Sequence, residues 1–520
     1  MIHRRSFIAS TAAASLQANA APRPNIIVVL ADDMGFSDAG CYGGEIPTPT
    51  LDGLAANGLR FTQMYSTARC WPSRSCLMTG YYPQQVGRDQ TNGYFPRWAR
   101  LAPQYLKPAG YRAYHSGKWH VPGKLPIKDA EFDRSYFLSD QHRFFSTTAH
   151  FLDDQALPQP QAGFYATKEI ANRAIEFLNQ HPKQEPYFLY LCFTSPHFPL
   201  HALPEDIAAQ RGRYDEGWDV IRARRHERLR KAGIVKNALP ALDPAYRPHW
   251  NLSDAELLAQ IGPGEVGRAV PWKSLSPVQK AFQSRKMEIH AAMVSRMDTE
   301  LARVLKQAKQ SGDWENTLVI FISDNGASAE IMIRGDGHDR QAAPGSAATH
   351  LCLGPGWSSA ANTPFRLHKY WNHEGGISSP AIFHWPKGIL AKGALRHNPC
   401  HFTDMLPTIL SLAGANPEMR HNGLTPPPFP GRSLASVFAK DNSAPHDFIY
   451  FRHEDNRGLR QGNWKIVAAG KDAPWELYDL SEDRGESTNL AAKLPARLKQ
   501  MQELWEKQDR QWIDDNSIGK

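Results

Sequence analysis

The stretch CWPSRSCLMTG, from Cys70 to Gly80, places two cysteines beside a proline and an arginine. A thiolate phosphatase loop would have its arginine six residues after the cysteine, but that position is Cys76, and Arg74 comes too early. The spacing of the cysteines matches no usual zinc finger or ribbon, and no paired cysteine or histidine cluster accompanies it. A buried cysteine that packs as a small apolar side chain is the structural alternative. Any chemistry at Cys70 must therefore depend on groups from elsewhere in the chain.

Three apolar runs of the sequence end in polar side chains that could serve such chemistry. NIIVVLADDMG ends in Asp32 and Asp33, YFLYLCFTSPH ends at His197, and TLVIFISDNG ends in Asp324 and Asn325. Continuous apolar runs are typical of strands that are buried on both faces. Ligands in parallel sheets lie beyond the carboxyl ends of the strands. The sequence therefore predicts that these distant side chains share one pocket.

Helical patterns alternate with the apolar runs. Apolar residues recur at helical spacing from Ala166 to His181 and from Met287 to Gly312, where the glycine is a suitable helix end. A fourth apolar run, SPAIFHWP, closes at Pro386. Strands that alternate with helices predict an α/β fold, with a mostly parallel or mixed sheet flanked by helices.

The character of the sequence changes after a predicted helix that ends near Gly414. Several prolines between Pro417 and Pro430 mark a linker, and the short strand candidates DFIYFRH, RGLRQGNWKIVAAG and WELYDLS follow. The last helix candidate runs from about Leu494 to Trp512. We therefore predict a large α/β domain over residues 21–415 and a smaller α+β domain with an antiparallel sheet over residues 416–520.

The first 20 residues have the pattern of an export signal. Arg4 and Arg5 precede a short apolar stretch, no acidic residue occurs before Asp32, and small residues lead up to Ala20. The segment Arg4-Arg5-Ser6-Phe7 is similar to a twin-arginine signal. No later run approaches the roughly 20 apolar residues of a membrane-spanning helix. We predict cleavage after Ala20 and an exported, periplasmic or secreted protein.

The chain carries a formal charge of +8 over 520 residues. A diffuse excess of this size favours anionic substrates but lacks the dense basic arm of a nucleic-acid-binding protein. The densest basic run, RARRHERLRKAG from Arg222 to Gly233, is expected to be a solvated helix face; the alternative is a rim that steers anions. Residues 201–272 are expected to border the mouth of the pocket.

The stretch around Cys70 fits the pattern C-x-P-S-R-x-x-L-x-T-G, and at this point the chain resembles the type I sulfatases of the alkaline phosphatase superfamily. The matching residues are Cys70, Pro72, Ser73, Arg74, Leu77, Thr79 and Gly80. The resemblance extends from about Asn25 to the C-terminal segment ELYDLSEDRGESTNL and is greatest for the arylsulfatase group. Departures such as Tyr81 after the signature, and GKWHVPG in place of a commoner ending, are expected to affect substrate fit.

The resemblance implies a metal site and a modified cysteine. Asp32 and Asp33 match the family's first pair of metal ligands, and Asp324 and Asn325 match its second. The signature is the recognition site of a maturation enzyme that oxidises the cysteine, here Cys70, to formylglycine, which also contacts the metal. Because the side-chain donors are oxygens, we expect Ca²⁺, with Mg²⁺ as second choice; zinc would favour histidine or thiolate ligands.

The resemblance also implies the residues that bind the sulfate group. Lys118 and His120 in GKWH match the family's central lysine and histidine, and His197 and Lys369 complete the pocket. Lys118, His197 and Lys369 are expected to contact the substrate. Cations at the sulfate end would neutralise the charge that builds up as the S–O bond breaks.

By analogy with the family, each catalytic side chain has an expected role. A hydrated aldehyde at residue 70 offers one hydroxyl for attack on sulfur and a second whose deprotonation expels sulfate. Asp324 would take the proton of the attacking hydroxyl, Arg74 would stabilise the hydrate, and His120 would help to deprotonate the second hydroxyl. His197, together with Lys369, would face the leaving oxygen as an acid.

The sequence thus predicts a sulfuric ester hydrolase that acts on aryl sulfates or sulfated carbohydrates. Two alternatives remain open at this point: a phosphonate or phosphate monoester hydrolase of the same superfamily, and a non-catalytic sulfoglycan-binding protein. Four further histidines near these motifs are expected to have structural roles: His115, His201, His368 and His373.

Overall fold

The computed structural model of the protein describes residues 23–139 and 143–518. Its strands are β1 (Asn25–Ala31), β2 (Leu59–Tyr65), β3 (Arg112–Lys118), β4 (Arg134–Leu138), β5 (His150–Leu152), β6 (Gln155–Ala156), β7 (Tyr187–Cys192), β8 (Thr317–Ser323), β9 (Ser378–His384), β10 (Ala394–Arg396), β11 (Cys400–His401), β12 (Ile449–His453), β13 (Asn456–Gln461), β14 (Trp464–Ala468) and β15 (Glu476–Asp479). Its α-helices are α1 (Pro49–Ala56), α2 (Cys70–Thr79), α3 (Ala102–Leu106), α4 (Ala166–Asn179), α5 (Pro204–Ala208), α6 (Trp218–Lys231), α7 (Asp254–Gln260), α8 (Pro277–Ser311), α9 (Gly354–Ala361), α10 (Glu374–Ile377), α11 (Met405–Ala413), α12 (Ala435–Ala439) and α13 (Pro495–Ser517).

Eleven strands form one mixed sheet in the order β10-β2-β9-β8-β1-β7-β3-β4-β5-β6, with β11 beside β2. The five central strands, from β8 to β4, are parallel to one another. The predicted strand in SPAIFHWP forms as β9, but it runs antiparallel to both β8 and β2. Its carboxyl end therefore lies at the edge of the sheet opposite to the ends of the central strands.

The apolar run of β1 is buried because both faces of the sheet are covered. Ile27 and Val29 point into the core that contains α4 and α8, whereas Ile26 and Val28 point into the core that contains α2 and α11. Side chains alternate across a strand, so a sheet covered on both faces needs apolar residues at every position. This arrangement explains why the run has no polar interruption before its carboxyl end.

Two of the predicted helices are longer than the sequence indicates. Helix α8 begins at Pro277, well before the expected Met287, because Ser276 caps it: the Gln279 amide N–H donates to Ser276 Oγ at 3.2 Å, and the Ser276 N–H donates to Gln279 Oε1 at 2.9 Å. This reciprocal pair is a capping box whose S-x-x-Q signature is present in the sequence. Helix α13 continues past the expected Trp512, to Ser517.

The second sheet contains β12 to β15 in sequential antiparallel order, as the sequence predicts for the C-terminal region. One face of this sheet, including Leu459 and Ile466, packs against Met501 and Trp505 of α13. The division at residue 415 stays a prediction. Leu434 and Phe438, which follow the proline-rich stretch, belong to the core of the large sheet.

A buried charge cluster joins the two sheets. Lys465 Nζ on β14 lies 3.0 Å from Glu374 Oε1, next to β9, and 2.7 Å from Glu486 Oε1. Arg484 Nη2 lies 3.0 Å from the second oxygen of Glu374. The side chains of Lys465, Glu374 and Glu486 are fully buried, so each charge depends on its partners for compensation.

Replacing Lys465 with methionine should therefore lower the free energy of unfolding by about 3–5 kcal/mol, because two buried carboxylates lose a cation. Denaturant titration followed by tryptophan fluorescence measures the change. K471M is the matched control, since Lys471 is exposed, and it should change the unfolding free energy by less than about 0.5 kcal/mol. Equal effects of the two substitutions would contradict the importance of the cluster.

The basic run at Arg222–Gly233 forms most of α6. Its exposed residues, which include Arg224, Arg230 and Lys231, form the expected solvated face, whereas two of its arginines are buried. Arg225 is completely buried; its Nη1 lies 2.8 Å from Asp38 Oδ1, and its Nη2 lies 2.7 Å from Glu45 Oε1. Arg222 is also buried and donates from Nη2 to the Pro240 carbonyl oxygen at 2.8 Å. These arginines anchor α6 to the domain, because buried guanidinium groups need such partners.

Several buried histidines should make the stability of the protein depend on pH. Burial lowers the pKa of His201 to about 4 and the pKa values of His368 and His401 to about 3. Below about pH 6.5 the unfolded chain binds protons that these folded-state imidazoles do not, so stability should fall as the pH decreases, by about 1.4 kcal/mol per pH unit for each histidine. Urea unfolding between about pH 7 and about pH 5 measures this slope.

The variant H201Q isolates one of these contributions. His201 Nε2 lies 2.6 Å from the Thr349 carbonyl oxygen, and a glutamine amide can also donate to that oxygen. The unfolding free energy of H201Q should depend less steeply on pH than that of the wild type, by about 1.4 kcal/mol per pH unit, which is the contribution of one histidine. An unchanged slope would contradict the assignment of His201 as a buried neutral imidazole.

The predicted export signal, residues 1–20, lies outside the described residues. Within residues 23–139 and 143–518, no helix combines the length and the apolar character that a membrane crossing requires.

Candidate active site

Four oxygen-bearing side chains meet at the carboxyl ends of β1 and β8. The Asn325 Nδ2 donates to Asp33 Oδ1 at 2.6 Å, and the Asp33 amide N–H donates to Asp324 Oδ1 at 3.3 Å. β1 and β8 are paired in register up to Ala31 and Ser323, so the residues that follow each strand leave the sheet side by side. The structure therefore brings together all four aspartate and asparagine residues that the sequence predicts as metal ligands, including Asp32, which lies beside Asp33 and shares Arg74 with Asp324.

Three cations surround this oxygen cluster. Lys118 Nζ, at the end of β3, donates to Asp32 Oδ2 at 2.6 Å. Arg74 on α2 donates from Nη2 to Asp324 Oδ2 at 2.8 Å and from Nη1 to the Lys118 carbonyl oxygen at 2.8 Å. Lys369 Nζ lies 2.9 Å from both carboxylate oxygens of Asp33. All three cations are buried, so solvent screens these interactions little.

β3 can approach β7 closely at this edge because residue 117 is glycine. Gly117 has a φ of +118°, and a Cβ atom there would lie only 1.8 Å from the Cys192 carbonyl oxygen. A side chain at this position is excluded both by conformation and by space. Gly117 thus allows Lys118 to reach the cluster from β3, which is separated from β1 by β7.

The carboxylates of the cluster have opposite tendencies to ionise. Burial alone would raise the pKa of Asp32, but the charges of Lys118, Arg74 and Lys369 hold it well below its usual range. Burial and the adjacent charge of Asp32 raise the pKa of Asp324 above its usual range, although Arg74 opposes the shift. Neighbouring carboxylates that share one site commonly diverge in this way.

Cys70 is the first residue of α2 and is buried beside this cluster as a free thiol. Burial alone would lower the pKa of Lys369, but the negative charges of Asp33 and Glu330 raise it, so Lys369 is protonated at neutral pH. A helix N-terminus favours negative charge. Residue 70 therefore faces groups that would stabilise an anion bound to it.

His197 contacts Lys369, as expected for members of one pocket. Its Nδ1 lies 2.5 Å from the Phe198 carbonyl oxygen, and its Nε2 lies 3.2 Å from Lys369 Nζ. Burial and the charge of Lys369 lower the pKa of His197 to about 4, so the imidazole is neutral at neutral pH. We assign the proton to Nδ1, because a carbonyl oxygen can only accept, and Nε2 then accepts from Lys369.

His120 follows Lys118 on the loop after β3, and its ring centroid lies 5.8 Å from that of Trp71, the neighbour of Cys70. Burial and the charges of Lys118 and Arg74 keep its pKa well below the usual value. His120 has a φ of +47°, a left-handed conformation that is uncommon outside glycine. The fold thus holds a neutral imidazole close to the start of α2.

The donor set fits a hard divalent cation. Asp32 Oδ1 and Asn325 Oδ1 are buried and have no hydrogen-bond partner among the described residues. Ligand atoms of Asp32, Asp33 and His197 lie within 4.8 Å of one another. Unpaired buried oxygens are costly, and a cation among them would compensate that cost. The chemistry of the oxygens favours Ca²⁺ or Mg²⁺ over zinc.

Two residues of the pocket, the partly buried Arg69 and the buried Glu330, are not predicted from the sequence. Arg69 directly precedes Cys70, and Glu330 lies on the loop that follows β8. Glu330 Oε2 is 3.4 Å from Lys369 Nζ, and Glu330 Oε1 is 3.2 Å from Arg69 Nη2. Nothing in the spacing of the sequence distinguishes such residues from surface charges, because their partners come from remote loops.

The four remaining histidines contact groups outside the cluster, as expected. Their partners are Ser135 Oγ for His115 at 3.0 Å, the Thr349 carbonyl oxygen for His201 at 2.6 Å, Ser358 Oγ for His368 at 2.8 Å and Glu476 Oε2 for His373 at 3.1 Å. Within the region expected to border the mouth, Trp250 reaches the pocket and donates from Nε1 to Glu330 Oε1 at 3.0 Å.

Comparisons with known proteins give a consistent result. A family model described as Sulfatase matches residues 24–415. An uncharacterised sulfatase of Schizosaccharomyces pombe is 30% identical over 550 residues, which cover 93% of this chain and 93% of that protein. An arylsulfatase of Klebsiella aerogenes is 31% identical over 454 residues, which cover 80% of this chain and 92% of that protein.

Two solved structures share the fold. Ps i-CgsB in complex with k-i-k-neocarrahexaose aligns with a TM-score of 0.65 and 24% identity, covering 96% of this chain and 94% of that chain. A protein in complex with its substrate D-glucosamine-2-N,6-O-disulfate aligns with a TM-score of 0.65 and 20% identity, covering 95% of this chain and all of that chain. At these identities the similarity concerns the fold alone, and the α/β fold with a smaller antiparallel sheet is confirmed.

Proposed function

This chain belongs to the sulfatase family, enzymes that hydrolyse sulfate esters, and we propose that it releases inorganic sulfate from aryl or carbohydrate sulfates by means of a formylglycine at residue 70 and a divalent metal. The observation that carries the proposal is the convergence of Arg74, Lys118 and Lys369 on three buried carboxylates beside Cys70. Such an array suits a tetrahedral anion whose charge grows at the leaving oxygen.

Residue 70 is proposed as the nucleophile. Oxidation of Cys70 to formylglycine would supply an aldehyde whose hydrate carries the attacking hydroxyl, and Ca²⁺ held by Asp32, Asp33, Asp324 and Asn325 would supply Lewis-acid stabilisation of the sulfate oxygens. Asp324 is suited to accept the hydroxyl proton, since burial and the charge of Asp32 raise its pKa. Arg74 holds Asp324 in place through its hydrogen bond from Nη2.

Lys369 and His197 are proposed to serve the leaving oxygen together. Lys369 is the member of the pair that carries the proton, because the charges of Asp33 and Glu330 raise its pKa while burial lowers that of His197. The 3.2 Å contact between Lys369 Nζ and His197 Nε2 provides a path for that proton. The expectation from the sequence is that His197 together with Lys369 acts as the acid, and the present proposal assigns the proton to Lys369. His120, neutral and beside Trp71, is proposed to assist the release of sulfate from residue 70.

Removal of the metal should abolish activity. Dialysis against EDTA is expected to lower the rate of nitrophenyl sulfate hydrolysis by at least about a hundredfold, and Ca²⁺ should restore more of it than Mg²⁺. The melting temperature is the second measurement, because a bound cation stabilises the folded state. A chelated enzyme with an unchanged rate and an unchanged melting temperature would contradict the metal assignment.

The experiment that tests the function compares the two ester classes directly. The enzyme, matured so that a tryptic peptide confirms the oxidised residue 70, is assayed with nitrophenyl sulfate and with a nitrophenyl phosphonate under identical conditions. We expect the higher kcat/KM for the sulfate ester. A higher value for the phosphonate would assign the pocket to phosphonate monoesters instead.

Maturation and export are part of the same proposal. The intact signature from Cys70 to Gly80 supports recognition by a formylglycine-generating enzyme, and the twin-arginine-like pattern at Arg4 and Arg5 supports export of the folded protein. We propose a periplasmic or secreted enzyme that meets its sulfate ester outside the cytoplasm.

A further inference from the structure

The guanidinium group of Arg69 contacts two indole rings at the edge of the pocket. Its central carbon is 5.3 Å from the ring centroid of Trp71 and 5.3 Å from that of Trp250. Both tryptophans are partly exposed, whereas Cys70, between Arg69 and Trp71 in the chain, is buried. Cation–π contacts with two aromatic rings help to hold a guanidinium group in place and leave its N–H groups to act as donors.

Glu330 holds Arg69 and Lys369 side by side. Its Oε1 lies 3.2 Å from Arg69 Nη2 and accepts from Trp250 Nε1 at 3.0 Å. Its Oε2 accepts from Ser328 Oγ at 3.0 Å and lies 3.4 Å from Lys369 Nζ. One carboxylate therefore serves two cations, and the position of Arg69 is tied to that of the lysine proposed to face the leaving oxygen.

Two N–H-bearing nitrogens of the Arg69 guanidinium group have no acceptor in the structure described. Its Nε and Nη1 are buried and have no hydrogen-bond partner within the described part of the chain. A guanidinium group stays protonated in proteins, so Arg69 is cationic, and it directly precedes the reacting residue in the chain. Buried charged donors without partners are costly, and native structures keep them where a bound group satisfies them.

We propose that Arg69 is a recognition site for a second anionic oxygen group, a carboxylate or a sulfate, on the leaving group of the substrate. The inference rests on the proposed sulfatase function and adds a substrate class to it: sulfate esters whose alcohol or phenol carries another negative charge. A guanidinium plane matches both oxyanions, and the flanking Trp71 and Trp250 suit an aromatic or sugar ring.

The test uses pairs of substrates that differ only in the second charge. The isomeric carboxyphenyl sulfates are compared with carbamoylphenyl sulfates, and benzenediol disulfates with hydroxyphenyl sulfates. For the ring position that suits the pocket best, the wild-type kcat/KM should be about tenfold or more higher for the charged substrate than for its uncharged partner. This factor corresponds to the free energy of one hydrogen bond to a charged group. We call the kcat/KM of the charged substrate divided by that of its uncharged partner the selectivity ratio. In R69L this ratio should fall to near one, even if the kcat/KM of the uncharged substrate also falls. The pair with the larger ratio identifies the oxyanion.

R213A is the matched control, because Arg213 is exposed and its removal changes the net charge equally. Its selectivity ratio should equal that of the wild type. R69K keeps the charge but loses the planar fork, and it should recover only part of the ratio. A wild type without preference for any charged member, or an R69L with the wild-type ratio, would overturn the proposal.

Calorimetry with the C70A protein separates this inference from the proposed function. Carboxyphenyl sulfate should bind about tenfold more tightly than carbamoylphenyl sulfate, and the difference should vanish in C70A/R69L. If no sulfate ester is hydrolysed by the mature enzyme but this binding difference is present, the proposed function fails and the Arg69 site stands. If hydrolysis occurs and the binding difference is absent, the Arg69 site fails alone. R69L and R69K are used only if their thermal unfolding is cooperative, and R69K carries the test if R69L does not fold.

Discussion

Replacing Cys70 with alanine should lower kcat/KM for nitrophenyl sulfate by at least about a thousandfold, because the substitution removes the nucleophile and its modification together. The remaining cations would still bind a sulfate group, so the loss should appear mainly in kcat. Steady-state kinetics on protein matured in the same host measures it. Calorimetric titration with sulfate should show that the anion still binds.

Cys76 provides the control for Cys70. It lies six residues further along α2 and is also a buried free thiol, but it packs in the apolar core beneath the sheet. C76A should keep the catalytic rate of the wild type and lose no more than about 2 kcal/mol of stability. The mass of the peptide that contains residue 70 must show the same modification in C76A as in the wild type. Undiminished turnover by C70A would refute the nucleophile assignment.

The sequence was sufficient to predict which strand ends meet at the candidate site, for a physical reason. β1 and β8 must be apolar throughout because both of their faces are covered, so the first polar residues mark the edge of the sheet. Asp32 and Asp324 stand at that point, and parallel pairing in register then places them together. Lys118 is less evident, since β3 ends on it and a glycine at position 117 is what lets it reach the cluster.

The direction of strand β9 and the ion pairs between residues far apart in the chain could not be predicted from the sequence. The apolar run of β9 gives no sign that it is antiparallel to β8, because burial on both faces has the same pattern in either direction. The pairing of Arg225 with Asp38 and Glu45 was equally hidden, since a basic run on a helix usually marks solvent. Glu330 and Arg69 belong to the same class: each acquires its role from loops that meet only in the folded chain.

Replacing Lys369 with methionine should lower kcat/KM by an amount that depends on the leaving group. We expect a loss of about a hundredfold on phenyl sulfate and of about tenfold on nitrophenyl sulfate, because nitrophenolate is the more stable anion and needs less help from a proton. Methionine keeps the apolar length of the lysine stem, so the substitution tests the charge of Lys369 beside Asp33 and His197. Steady-state rates on a series of substituted phenyl sulfates measure the dependence.

Lys118 is the comparison that makes this result specific. Its Nζ contacts Asp32, the residue that follows β1, and has no contact with His197 among the hydrogen bonds of the described residues. A cation that stabilises the sulfate oxygens should matter equally for every leaving group, so K118M should lower kcat/KM for both esters by the same factor. The assignment of the two lysines would be wrong if K369M lowered kcat/KM by the same factor for both esters, or if the loss of kcat/KM in K118M depended on the leaving group. Since His197 is neutral with Nε2 as its acceptor, K369M should also remove the proton source that His197 alone cannot replace.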